Sequence, residues 1–262
     1  MISGVTSVVA DAVYRLVYVK LAVIASIIRA LQGARLKVTG LENMPRHGGA
    51  VLACNHIGYM DPMYLGLVAL MARRRMRYLA KKEVWDHPVT RFLAVTSRGI
   101  PVDRSAGTSA YQAAVRALCE GDFVGVCPEA TISRSFELKE FKSGAARMAV
   151  AAGVPVVPIV LWGTQRIATK GQPPKFLGWN RQVQVHVGTP IEPGMPPQEL
   201  TTRLHSDMEE LLHAAQAAHG PHPPGRHWVP ARLGGTAPTL AEANAMDARE
   251  LSWARKDGLE PE

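Results

Sequence analysis

The stretch AVLACNHIGYMDPMYLGLVALMA, residues 50–72, contains a buried strand, a short polar loop and a helix in direct succession. Its first five residues form an uninterrupted apolar run, which is typical of a strand buried inside a sheet. Asp61 is a favoured helix N-cap and Pro62 a favoured first helical residue, so the helix is predicted to begin at Pro62. A strand that leads through a loop into a helix is the unit from which α/β folds are built.

Outside this stretch, short apolar runs alternate with longer helical patterns, which predicts an α/β sheet with helices on its faces. The further predicted strands are residues 77–80, 99–102, 123–127, 154–161 and 183–187. The further predicted helices are residues 88–94, 108–120, 142–152 and 197–218. Because proline cannot donate to a strand ladder, Pro155 and Pro158 predict irregular pairing in the strand 154–161.

The N-terminal segment 5–31 is apolar but carries charged residues at positions 11, 15, 20 and 29. No run of about 20 apolar residues is therefore available to cross a bilayer. At helical spacing the polar and apolar side chains separate onto opposite faces, with Lys20 as the exception, which predicts an amphipathic helix. Its apolar face either packs on the protein's own core or lies in a lipid headgroup boundary.

Composition divides the chain into four predicted segments: the amphipathic helix 1–33, the α/β body 34–218, a Gly/Pro-rich linker 219–238 and an acidic helical tail 239–262. The tail holds six acidic and three basic residues, so it carries −3 of a total charge of +8 and the rest of the chain carries +11. We expect the tail to dock on the positive surface of the body. The three cysteines lack zinc-ligand spacing, which favours a reduced, cytosolic setting.

The basic body favours an anionic partner. Nucleic acid is not expected, because aromatic residues make up only 6% of the chain and no recognised binding motif accompanies the basic residues. A basic cluster beside the first helix of the body is typical of binding to an anionic lipid surface, although a solvated loop is the other interpretation. Its members are Arg73, Arg74, Arg75, Arg77, Lys81 and Lys82.

His56 and Asp61 are the first candidates for chemistry. On a continuous helix they would point about 140° apart, but His56 lies on the predicted loop, which can fold it back onto the Asp61 carboxylate. A carboxylate that holds one imidazole nitrogen fixes the tautomer and leaves the other nitrogen free as a general base. The alternative is a loop histidine beside a helix cap, and these two residues alone leave both interpretations open.

Two further blocks place polar residues around predicted strands. Arg98 and Arg104 flank the strand 99–102, and Glu129 and Arg134 follow the strand 123–127. Ligand sites in open α/β sheets gather where strands end, so Glu129 and His56 are expected to share one edge of the sheet. Guanidinium groups suit phosphate oxygens, although surface arginines at the ends of a strand are the commoner explanation.

Four blocks in order resemble those of the glycerolipid acyltransferases of the lysophosphatidic acid acyltransferase type. They are His56-x4-Asp61, Gly99-Ile-Pro-Val-Asp-Arg104, Pro128-Glu129 followed by Phe141-Lys-x-Gly144, and Val154-Pro-Val-Val-Pro158. The resemblance covers about residues 35–190 and implies the fold of that family, a mixed central β-sheet flanked by helices. It also implies transfer of a fatty acyl group from acyl-CoA or acyl-carrier protein to a lysophospholipid hydroxyl, usually that of 1-acylglycerol 3-phosphate.

The resemblance further implies the roles of individual residues. His56 would take the proton from the acceptor hydroxyl and Asp61 would orient and charge-stabilise His56, without an acyl-enzyme, a metal or a cofactor. Lys81 and Arg104 would contact the acceptor phosphate, and Glu129 would position the glycerol part. The full set of substrate-binding residues expected from the resemblance is Lys81, Gly99, Arg104, Glu129, Thr131 and Arg134.

The sequence departs from the family pattern at Glu129-Ala-Thr-Ile-Ser133, where members usually carry Glu-Gly-Thr-Arg-Ser. Ile132 replaces the arginine expected to grip phosphate, Arg134 lies two residues later, and the methyl group of Ala130 is expected to narrow the site. One alternative is therefore the same chemistry on a different lipid or glycoside acceptor. Another is a non-catalytic lipid-binding protein. In each case an anionic membrane surface is the expected partner, with peripheral or monotopic attachment at the cytoplasmic face.

Overall fold

The computed structural model describes residues 19–103 and 107–256, in which strands and helices alternate along the chain. The strands are β1 Ala34–Thr39, β2 Ala50–Cys54, β3 Met76–Lys81, β4 Ile100–Val102, β5 Phe123–Val126, β6 Val156–Trp162 and β7 Arg181–Val187. The helices are α1 19–31, α2 Asp61–Met71, α3 Pro88–Thr96, α4 Gly107–Cys119, α5 Gly144–Ala152, α6 Pro197–His219 and α7 Leu240–Lys256.

All seven strands form one sheet in the order β1-β7-β6-β2-β5-β3-β4. Only β6 and β7 pair antiparallel, and the other neighbours are parallel, so the expectation of a mixed sheet flanked by helices is confirmed. Successive residues of β2 contribute to two different core clusters, Val51 and Ala53 to one and Leu52 and Cys54 to the other. This burial on both faces explains why residues 50–54 are apolar without alternation.

The edge strand β1 was not predicted. Arg35 and Lys37 alternate with Leu36 and Val38 along it, which is the period-2 pattern of a half-buried strand. Every residue of β1 has a partner in β7, so the segment is a regular strand although its charged residues conceal it in a search for apolar runs.

The irregular pairing expected around the prolines of β6 is confirmed. Val156 forms an isolated bridge with Ile191, and the regular ladder to β7 begins only at the pair Ile159 and Val187. Between these points the carbonyl of Pro158 accepts from the backbone N–H of Gly188 at 2.8 Å. Pro158 therefore lies where the ladder between β6 and β7 is interrupted, so its missing N–H does not cost a hydrogen bond to β7.

The segment 219–238 packs on the body rather than hanging free as a linker. Val229 and Ala237 are buried, and the guanidinium of Arg232 pairs with Glu137 at 2.5 Å. Helix α7 follows it and docks through acidic side chains, as expected from its charge. None of the described helices is both long and apolar enough to cross a membrane, and the predicted helical residues before position 19 lie outside the described ranges.

Candidate active site

The C-terminal ends of β2, β3, β5 and β6 meet at one edge of the sheet, because these four strands run parallel. His56 follows β2, Lys81 ends β3, Glu129 follows β5, and Thr164 follows β6. The expectation that Glu129 and His56 share one edge is confirmed. We call this the catalytic edge of the sheet.

His56 and Asp61 form a hydrogen-bonded pair: His56 Nδ1 donates to Asp61 Oδ2 at 2.9 Å. The same oxygen accepts from the backbone N–H groups of Ile57 and Gly58, both at 2.8 Å. Asp61 Oδ1 accepts from the Thr164 hydroxyl at 2.5 Å. Helix α2 begins at Asp61 itself, and the structure shows no side-chain cap at its start, so the predicted capping role is wrong. The fully buried carboxylate instead holds the loop and the imidazole.

The imidazole of His56 is partly open to solvent. The His56 side chain is 20% exposed, whereas that of Asp61 is completely buried. Burial lowers the pKa of His56, but Cys127 and the hydrogen bond with Asp61 raise it by more, so it lies well above 6.5. Burial also raises the pKa of the Cys127 thiol. The carboxylate of Asp61, which accepts from Nδ1, stabilises a protonated His56.

The loop that carries His56 is fixed to β6 and the segment after it by side chains that the sequence analysis did not identify. Asn55 bridges to Leu161 on β6 through two hydrogen bonds, donating to its carbonyl at 3.0 Å and accepting from its N–H at 2.7 Å. Thr169 donates to the carbonyl of Ile57 at 2.7 Å. Asn55 at the end of an apolar strand was a visible signal, whereas the contacts of Thr164 and Thr169 depend on how the chain folds after β6.

Glu129 supports the same loop from the β5 side. Its Oε1 accepts from the backbone N–H of His56 at 2.8 Å, and its Oε2 accepts from that of Lys139 at 3.0 Å. The residue is 4% exposed, and burial raises the pKa of its carboxyl to about 7 against the opposing effect of these two hydrogen bonds. Both oxygens hold backbone groups, so Glu129 positions His56. The contact with the glycerol part implied by the resemblance stays a prediction.

Arg134 does not face a free substrate site, which corrects its expected role. Its guanidinium pairs with Asp247 at 3.5 Å and with Glu250, both on α7, and the side chain is only 10% exposed. Lys139 and Lys170 pair with the same two carboxylates. Because α7 occupies this arginine, Arg134 cannot replace the arginine that the family pattern places at position 132.

The loop after β5 shows why the family pattern has glycine at position 130. Ala130 adopts a left-handed backbone with φ 59°, a conformation that costs an L-residue about 1 kcal/mol. Its side chain is exposed, and the expectation that its methyl group narrows the site stays a prediction. Thr131 is half-buried next to it, and Ile132 is 5% exposed and apolar.

The remaining predicted substrate residues are Lys81, Gly99 and Arg104. Lys81 is half-buried at the end of β3, on the catalytic edge. Gly99 directly precedes β4, whose first residue Ile100 pairs with Leu79 of β3, so Gly99 lies beside the middle of β3; its role as a substrate contact stays a prediction. The space around it is filled by Ala94 and Trp85, which a β-carbon would approach to 3.1 and 3.5 Å. Arg104 lies outside the described residues.

No group of three or more His, Cys, Asp or Glu side chains is placed to hold a metal within the described ranges. The expectation of chemistry without metal or cofactor stays a prediction. A partly exposed histidine held by a buried aspartate at the strand ends of an α/β sheet is the arrangement of an enzyme that uses histidine as a general base.

Comparison with known proteins identifies the family. The acyltransferase family profile matches residues 35–162. The chain is 33% identical over 138 residues to the 1-acyl-sn-glycerol-3-phosphate acyltransferase of Bacillus subtilis (strain 168), a region that covers 52% of this chain and 67% of that protein. The chain belongs to the acyltransferase family, which confirms the resemblance found in its motifs.

Two further comparisons bear on the extent of the similarity. The 1-acyl-sn-glycerol-3-phosphate acyltransferase of Borreliella burgdorferi is 30% identical over 143 residues, which cover 53% of this chain and 56% of that protein. The crystal structure of the 1-acyl-sn-glycerophosphate acyltransferase PlsC from Thermotoga maritima superimposes with a TM-score of 0.70 at 22% identity, covering 79% of this chain and 83% of that one. The aligned region thus spans little more than half of several relatives, while the fold is shared over most of the chain.

Proposed function

We propose that this protein transfers a fatty acyl group from a thioester donor to the hydroxyl of 1-acylglycerol 3-phosphate and so forms phosphatidic acid. The observation that carries the proposal is the His56 imidazole, held through Nδ1 by a buried Asp61 and partly exposed at the catalytic edge. Two relatives that share this region are named 1-acyl-sn-glycerol-3-phosphate acyltransferase.

The geometry supports a direct transfer. Nε2 of His56 takes the proton as the acceptor oxygen attacks the thioester carbonyl, and Asp61 stabilises the imidazolium that forms. The tetrahedral intermediate then expels the thiolate, which recovers the proton from His56. No acyl-enzyme is needed, and positioned proton transfer of this kind contributes roughly 10²–10⁴ in rate. The donor is acyl-CoA or acyl-carrier protein, and competition between the two donors in one assay distinguishes them.

The test compares the purified wild-type protein with His56→Ala in transfer from labelled acyl-CoA to lysophosphatidic acid. We expect His56→Ala to lose at least a hundredfold in kcat, in line with the lower end of general-base effects. The matched control is His47→Ala, a change at an exposed loop histidine, which is expected to keep wild-type turnover. Full activity in His56→Ala, with circular dichroism unchanged, would refute the mechanism.

A second candidate is the same chemistry on an acceptor that lacks this phosphate. Two observations favour it: Ile132 offers no donor where the family pattern has arginine, and Arg134 is paired with α7. A panel that offers lysophosphatidic acid beside uncharged lysolipids and glycosides decides between the two. A strong preference for lysophosphatidic acid removes the second candidate. The non-catalytic alternative is disfavoured by the intact His–Asp pair.

We also propose that the protein acts at the cytoplasmic face of a membrane as a peripheral or monotopic protein. The support is helix α1, whose apolar side chains Val19, Val23, Ile27 and Leu31 are each more than half exposed. Spaced four residues apart, they form one apolar stripe of the kind that lies in a lipid interface. Fractionation of cells that express the full chain tests this location.

A further inference from the structure

The basic cluster 73–82 is largely occupied inside the protein. Arg74 donates to three backbone carbonyls and lies 4.3 Å above the ring of Phe123. Arg75 and Arg77 both pair with Asp122, at 3.2 and 2.6 Å. These arginines precede or begin β3, so they also lie at the edge of the sheet opposite His56. Of this cluster, Lys81 and Lys82 at the end of β3 lie on the catalytic edge, and Lys82 pairs with Asp103 at 3.4 Å.

A second basic group lines an open pocket of about 350 Å³ beside the edge strand β1. Its cations are Arg35 and Lys37 of β1 and Arg166 of the segment after β6. No carboxylate lines the pocket, and none of the three cations forms an ion pair within the part of the chain that the structure describes. Arg166 is fixed by the ring of Trp228, 4.4 Å away. Three cations around one opening suit the oxygens of a phosphate group.

Apolar side chains project beside this pocket. In the loop 176–179, Phe176, Leu177 and Trp179 are 53%, 74% and 88% exposed, and Asn180, the next residue, lines the pocket. Exposed aromatic and aliphatic side chains next to cations are typical of surfaces that lie in a membrane interface.

The loop 176–179 is held against the end of α1. The backbone N–H of Gly178 donates to the carbonyl of Leu31 at 3.4 Å. The guanidinium of Arg181 donates to the carbonyl of Leu177 at 2.7 Å. Gly33 makes the close approach possible, because a β-carbon there would lie 2.2 Å from the carbonyl oxygen of Gly178. The apolar stripe of α1, the loop and the pocket therefore form one continuous surface.

This surface lies on the catalytic edge. Strand β7 runs antiparallel to β6, so its first residues meet the end of β6, and β1 starts beside them. His56 follows β2, which is three strands away in the order β1-β7-β6-β2. At roughly 4.8 Å per strand, about 14 Å separate β1 from β2 in the plane of the sheet. A membrane in contact with the pocket would thus bring the acceptor lipid to the edge where His56 lies.

We propose that the pocket formed by Arg35, Lys37 and Arg166 binds the phosphate headgroup of an anionic membrane phospholipid while the loop 176–179 inserts its apolar side chains into the same leaflet. The inference deepens the proposed function, on which it rests for the presence of a lipid acceptor. The site is separate from the His56 pair, and its lipid is a docking ligand that is not consumed.

The test measures binding of the full chain to vesicles of phosphatidylcholine alone and of phosphatidylcholine mixed with phosphatidylglycerol. A basic residue near an anionic surface contributes about fivefold in affinity, so Arg35→Gln/Lys37→Gln is expected to lose about 25-fold on the anionic vesicles. The matched control is Arg46→Gln/Arg116→Gln, which removes two exposed charges from the opposite edge. Equal losses in both double variants would overturn the proposal, because binding would then follow total charge.

A second pair of variants tests the apolar loop. Trp179→Ser is expected to weaken binding to both kinds of vesicle, whereas Phe92→Ser, on the exposed apolar face of α3, is expected to leave it unchanged. The opposite result would place the membrane contact at α3 and overturn the proposal.

Turnover of a water-soluble, short-chain acceptor separates this inference from the proposed function. The pocket variants are expected to keep that turnover. Pocket-dependent binding without any acyl transfer would refute the proposed function alone, and acyl transfer with binding that ignores the pocket would refute the inference alone.

Discussion

Thr164→Val removes the hydroxyl that donates to the buried carboxylate of Asp61 and leaves a side chain of nearly the same shape. The bond is short, at 2.5 Å, and its acceptor is ionised and fully buried. Hydrogen bonds to charged groups contribute about 1.5–3 kcal/mol. If the whole of that amount were lost in the transition state, the rate would fall by about 10- to 150-fold.

The lower end of this range is expected. Asp61 keeps three donors, His56 and the backbone N–H groups of Ile57 and Gly58, so its position is only partly released. We therefore expect a fall of about tenfold in kcat with little change in KM. A carboxylate with one donor fewer also holds the proton of His56 more tightly, so the acid limb of the pH profile should move to higher pH.

The assay is steady-state acyl transfer across a pH series, with Thr164→Ser as the conservative variant and Thr202→Val, on the exposed face of α6, as the matched control. Serine restores the donor and should recover most of the rate. A merely structural Thr164 would lower the melting temperature but leave kcat and the pH profile unchanged. That outcome would refute the assignment of Thr164 as a residue that positions the His–Asp pair.

Three other predictions concern the same loops and α7. Because the pKa of His56 lies above 6.5, kcat/KM should rise with pH through a midpoint above that value. Asp61→Asn removes the negative charge beside His56, so it should lower both the rate and this midpoint. An unchanged midpoint would contradict the pairing of the two residues. Ala130→Gly should stabilise the protein by about 1 kcal/mol in urea unfolding, because glycine adopts φ 59° without strain, and a loss of stability would contradict this. Asp247→Asn should destabilise the protein by about 2 kcal/mol or more in urea unfolding, since buried cations lose their partner. Glu250→Gln, at a side chain that is 41% exposed, should destabilise it less. Equal losses of stability would argue against a buried network.

Much of the sheet could be predicted because its central strands are buried on both faces. Residues 50–54 and 123–126 are apolar throughout, and such runs are visible without any knowledge of the fold. The edge strand β1 was missed because one of its faces is charged, so that it lacks a continuous apolar run. Local patterns record burial, whereas the partner of an edge strand is set by the whole sheet.

The His–Asp pair could be predicted from local chain geometry, because both residues belong to one short loop and Pro62 fixes where the helix starts. The contact of Thr164 with this pair could not be predicted, since Thr164 is 103 residues from Asp61 and the two meet only because β6 lies next to β2 in the sheet. The role of Arg134 was mispredicted for a similar reason. Its position after β5 suggested a phosphate contact, but α7 returns more than 100 residues later and supplies the anions that it binds.

This use of Arg134 bears on how an acceptor phosphate could be held. Lys139 and Lys170 are tied to the same carboxylates of α7, so none of the three cations on that side of the catalytic edge is available to the acceptor. Ile132 contributes no charge. Of the residues that the resemblance assigns to the phosphate, Lys81 lies at the end of β3, which β5 separates from β2 in the sheet, so a phosphate held there would place the glycerol hydroxyl on the β3 side of His56. An acceptor without phosphate needs no such grip, which makes Lys81 the residue on which the two candidate acceptors differ most.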